Sequence, residues 1–171
     1  MKFSSIFKNS TVRFLIIVFG LYILWYILYK TIIQPANFVD MFVINTTIDI
    51  SKWILEIMGY AVFTGAERVI GVDGTGGLWI GDNCNGMTLF ALFTWFIVAY
   101  KGKIKYKIPF ILVGILAIEF MNVLRVVGLA ILDTYSRAWT EFNHTYTFTM
   151  IIYGFIFLLW MTWVNRFSDK A

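Results

Sequence analysis

The chain has 171 residues, of which 60% are hydrophobic and only 14% charged, whereas a soluble domain is nearer half apolar and a quarter charged. With aromatics at 19%, the balance excludes disordered, collagen-like and coiled-coil chains. It points to a single multi-span membrane domain over residues 1–171. A net charge of +4 would suit nucleic acid, but the placement of the basic residues argues for topology instead, and no nucleic-acid partner is expected.

Four apolar stretches are expected to span the bilayer: 12–33, 86–100, 108–132 and 145–164. A span takes about 20 residues, so the second is short. The first has a long aromatic core and no small-x-small site after it, which favours an uncleaved anchor over a signal peptide. Lys2, Lys8 and Arg13 precede span one; Lys101, Lys103, Lys105 and Lys107 separate spans two and three; Arg166 and Lys170 follow span four. Nine of the 14 basic residues thus fall on one side. The positive-inside rule puts that side, with both termini, in the cytoplasm of an inner-membrane protein.

The extracytoplasmic loop is then 34–85. In its first part Asn45, Asp49, Lys52 and Glu56 line one face, and Ile50, Trp53, Ile54, Ile57 and Met58 the other. This predicts an amphipathic helix lying in the outer interface. Two β-prone runs, 67–72 and 78–81, flank Asp73-Gly74-Thr75-Gly76-Gly77 and predict a β-hairpin. The fold class is therefore an all-α integral membrane protein of about four transmembrane helices, with an extracytoplasmic amphipathic helix and a short hairpin. The glycine-dense stretch is no P-loop, because no Gly-Lys-Ser/Thr follows it.

Three residues are out of place in a plain helical bundle: Cys84, Arg125 and His144. A cation within a span costs about 2.5–3.5 kcal/mol on insertion scales. A lone buried Cys is most often a small hydrophobe, and a lone His near a span end is usually structural. Their heights link them. Cys84 lies 16 residues before Tyr100, Arg125 lies 16 after Pro109, and His144 lies 16 before Trp160. Each is about 24 Å from the inner end of its span, so all three share one depth. A thiol, an imidazole and a guanidinium at one level make a nucleophilic site at the outer face.

Cys84 follows Asp82 and Asn83, natural N-cap residues. A thiolate there would face the positive end of the span-two helix, which favours ionisation. Gly86 lets the backbone approach a reacting group, and Asn122 lies one turn from Arg125, where it can orient the guanidinium. Glu119, near mid-span, is expected to be protonated or paired with Arg125. Asn45-Thr46-Thr47 and Asn143-His144-Thr145 match glycosylation sequons. One Cys, one His and seven Met show no ligand spacing, so neither a metal nor a cofactor is expected.

The stretches GDNCNGM around Cys84, NVLRVVG from Asn122 to Gly128 and FNHTYTF around His144 resemble the exosortase/archaeosortase family of membrane cysteine transpeptidases, over roughly 67–160. Two features depart from the common pattern: Asn85 stands where many members have Ser, and about four spans replace about eight. The resemblance implies that the chain cleaves C-terminal sorting signals from secreted proteins. Each such signal is a short motif, a hydrophobic segment and a basic tail. The new carboxyl end passes to a membrane-lipid or surface-polymer acceptor. Cys84 would be the nucleophile, His144 the acid and base, and Arg125 the oxyanion or substrate ligand. The alternatives are a membrane cysteine protease releasing product to water, and a non-catalytic membrane scaffold or assembly subunit.

Overall fold

The computed structural model describes residues 10–65 and 68–168. Lys2, Lys8, Glu67, Asp169 and Lys170 lie outside the described residues. The first helix, α1, runs Ser10–Ala36 and contains a widened π turn at Tyr29–Ile33. It is apolar nearly all round, the pattern of a helix in contact with lipid, and Phe19, Ile23 and Ile27 point outward. It ends at Asn37, whose φ of 54° is the left-handed conformation that Asn tolerates at helix ends.

Helix α2, Phe38–Ile57, follows at once. It is helical, as the sequence predicts, but a different face is buried. Asp40, Ile44, Thr47, Ile48, Ser51 and Leu55 pack inward, while Ile50, Trp53, Ile57 and Met58 are exposed. The inward stripe follows a 3–4 spacing, but its three polar members hide it from a hydrophobicity reading.

Three short strands come next: β1, Val62–Gly65; β2, Val69–Val72; β3, Leu78–Trp79. They form one antiparallel sheet in the order β1-β2-β3, with Val62 opposite Val72 and Val69 opposite Trp79. The predicted hairpin is β2–β3, and β1 is the addition. A single 3₁₀ turn, Asp82–Cys84, leads to helix α3, Met87–Ala99. Helices α4, Ile104–Asp133, and α5, Arg137–Phe167, complete the chain.

α1, α4 and α5 are long and apolar enough to cross a membrane; α3, at 13 residues, is shorter. The chain is an all-α membrane protein with a small sheet at one end. α4 is the central element and packs on α2, α3 and α5. At the sheet end, Ile44, Leu55, Ile70, Ile80, Val123 and Val127 form one core. Toward the other end, Phe93, Ile97, Ile118, Ile152, Ile156 and Trp163 form a second. Arg13 and Lys101 border one groove beyond it, and the Phe167 carbonyl sits beside Gly102. Arg13 and Lys101 therefore lie, with the 101–103 turn and the end of α5, at the end opposite the sheet.

Candidate active site

The turn that carries Cys84 is held from several sides. The Cys84 N–H donates to the Gly81 carbonyl at 2.8 Å, and the Cys84 carbonyl accepts from Asn122 Nδ2 at 3.2 Å. Asn85, fully buried, accepts the Met87 N–H at 3.0 Å through Oδ1 and donates through Nδ2 to Asp40. Asp40 Oδ1 also accepts the Tyr29 hydroxyl at 2.8 Å. Gly86 has φ +78°, which favours glycine, and a Cβ there would sit tightly against the Phe90 ring at 3.2 Å. The result is a sharp reversal that presents the thiol while its backbone is fixed.

His144 lies in a five-residue π turn, Asn143–Thr147, inside α5. Its Nε2 is 3.3 Å from Cys84 Sγ. From α4, Arg125 Nη2 reaches to 3.8 Å of the same sulfur. A thiol with an imidazole at contact distance and a guanidinium alongside is chemically suited to proton transfer and to holding negative charge. All three side chains line a cleft of about 370 Å³, together with Leu78, Trp79, Ile80, Arg137, Thr140 and Glu141. The three residues that the sequence set at one depth are thus brought into one cluster.

The transmembrane exosortase family model matches residues 5–165. The chain belongs to the transmembrane exosortase family. No curated protein and no solved structure matches it. Membership supports a membrane transpeptidase or protease role in general, acting on secreted proteins.

In this exosortase several supporting residues sit elsewhere than the sequence suggests. Asp82 and Asn83 do not cap the helix: α3 begins at Met87 with Gly86 as its N-cap, and the 3₁₀ turn is capped by Gly81. Cys84 therefore precedes the helix by more than one position and gains little from its dipole, which fades within a turn. The cation beside the sulfur is Arg125. Asp82 instead ties α1 to the sheet: Oδ2 accepts Gln34 Nε2 at 3.0 Å and Oδ1 accepts Arg68 Nη1 at 2.5 Å. The Gln34 hydrogen bond, joined by Arg68, holds the Asp82 carboxyl below its ordinary pKa against the opposing effect of burial.

Asn122 braces the Cys84 carbonyl rather than Arg125. Glu119 is not paired with Arg125 either; its Oε1 is 2.6 Å from Thr47 Oγ1 on α2. Asp40 and Tyr29 went unnoticed in the sequence, and Asn85 stood out there only as a departure from Ser; together they form the buried brace beneath the thiol. The one available signal was Asp40, an acid between apolar residues in a membrane chain.

Proposed function

We propose that this exosortase is a cysteine transpeptidase that cleaves C-terminal sorting signals of secreted proteins at a Cys84–Arg125–His144 site. It would sit in the cytoplasmic membrane as one domain, with both termini inside and the cleft outside. The observation that carries this reading is the Cys84–His144 contact of 3.3 Å with Arg125 Nη2 at 3.8 Å from the sulfur.

His144 takes the thiol proton, and Cys84 Sγ adds to the scissile carbonyl carbon, forming an S–C bond and an oxyanion. Arg125 bears on the charge first at sulfur and then at oxygen. The C–N bond breaks as His144 returns the proton to the departing amine, leaving a thioester on Cys84. An acceptor hydroxyl or amine then loses its proton to His144 and attacks that carbonyl. The thiolate leaves, recovers the proton and closes the cycle. The acceptor is a membrane lipid or a surface polymer; with water in its place the same steps give hydrolysis.

The test uses the fact that the chain has one Cys. A membrane-impermeant thiol reagent applied to spheroplasts should label the wild type. Cys84→Ala should remove labelling and stop processing of a co-expressed protein that ends in a hydrophobic segment and basic tail. Processing that survives Cys84→Ala would overturn the reading.

A further inference from the structure

One border of the cleft is a strand edge. β3 is the last strand of the sheet, paired only with β2. Main-chain groups of an antiparallel strand alternate between its two sides. The Ile80 N–H donates to the Arg68 carbonyl at 2.8 Å, so residues 78 and 80 face β2, while 77 and 79 face away. On that outer side the Gly77 carbonyl accepts Arg137 Nη1 at 2.9 Å. The next groups along it, the Trp79 N–H and C=O, have no hydrogen-bond partner among the described residues.

Leu78, Trp79 and Ile80 all line the cleft that holds Cys84 and His144, and no β2 residue does. The two strand residues and the one that follows share the cavity, as they do when a cavity runs along an edge rather than over one face. Trp79 is 67% exposed, so the described residues leave the edge open beyond Gly77.

We infer that the outer edge of β3 binds the substrate as an added, extended strand, with the Trp79 N–H and C=O pairing to one residue of the peptide beside Cys84. The inference rests on the peptidase reading above. A peptide is the occupant that fits, because it alone offers a donor and an acceptor at strand spacing while its carbonyl reaches a thiol in the same cleft. Arg137 closes the edge at Gly77, so pairing starts at Trp79 and the register is set. Main-chain pairing of this kind fixes the direction and extension of the chain and leaves side-chain preference to the surrounding walls. At two residues the edge is too short to invite open-ended pairing, and it opens on the nucleophile.

The experiment times alkylation of Cys84 in the purified full-length protein by N-acetyl-tetraalanyl chloromethyl ketone. The same peptide N-methylated at single positions, and iodoacetamide, serve as comparisons. N-methylation at one position should slow alkylation about tenfold, the loss expected when a hydrogen-bonded pair is broken. Trp79→Ala, which removes the indole and keeps the amide, should preserve that ratio. Trp79→Pro, which deletes the edge N–H where proline is sterically tolerated, should react about tenfold more slowly than Trp79→Ala. Iodoacetamide should react alike with all three proteins, which separates pairing from misfolding. Equal rates for all the peptides with the wild type would overturn the edge-binding inference. Equal rates together with a Trp79→Pro change from dimer to monomer would assign the edge to a second copy of the chain. Cys84-dependent processing with equal peptide rates removes only this inference, whereas processing in Cys84→Ala removes the peptidase reading itself.

Discussion

Arg125 approaches the Cys84 sulfur to 3.8 Å, and no acid is paired with it among the described ion pairs. Its charge is therefore available to the reaction. Arg125→Gln should accumulate in the membrane at normal levels and lose about 10²–10³ in processing rate, the scale of one oxyanion donor. Arg125→Lys should recover only part of that, since Lys keeps the charge but lacks the planar fork. Quantified membrane levels beside substrate turnover check both variants; low levels with intact turnover per molecule would assign Arg125 to packing. Cys84, Arg125 and His144 were legible in the sequence because each is anomalous in an apolar chain and because helical rise converts residue counts into depth. Asp40, Tyr29 and Asn85 were not, because their significance lies in pairing across 11 and 45 positions. Backbone geometry misled the cap assignment: Asp82 and Asn83 have capping side chains, yet the chain spends them on a 3₁₀ turn and begins α3 at Met87.

The contact between α4 and α5 sets where His144 stands. At Gly128 the helices approach so closely that a Cβ would lie 2.8 Å from the Phe148 ring. Phe148 is the first residue after the π turn that carries His144. Gly128→Val should push Phe148 and that turn away, cost about 1–3 kcal/mol of stability and separate His144 from Cys84. Thermal melting in detergent and the pH dependence of Cys84 alkylation measure the two effects, and Gly128→Ala should fall between Val and wild type. The spans α1, α4 and α5 were legible from continuous apolar runs, although each extends beyond its predicted limits. β1 was not, since Val62–Gly65 is four residues long and gains its meaning only from pairing with β2. α2 was half legible: the stripe that turns inward against α4 carries Asp40, Thr47 and Ser51 among its apolar residues, so the more apolar stripe drew the reading instead.

For the whole molecule, the sheet and the basic loops stand at opposite ends. Reporter fusions at Ala171 and near Gly102 should read cytoplasmic, and one near Gly74 extracytoplasmic; a cytoplasmic reading at Gly74 would reverse the proposed orientation. That the basic segments and the sheet lie at opposite ends was legible from charge placement, whereas the shortness of α3 has a consequence that only the assembled bundle discloses. α3 is about 20 Å long and stands beside α1, α4 and α5, while a bilayer's hydrocarbon is about 30 Å thick. Where α3 faces lipid, a mismatch of this size is met by thinning of the bilayer or by water above its first turn, on the side of Cys84. On the transpeptidase reading proposed above, a dimple beside the thiol would let the scissile bond meet its acceptor while the hydrophobic segment of the sorting signal stays dissolved in lipid.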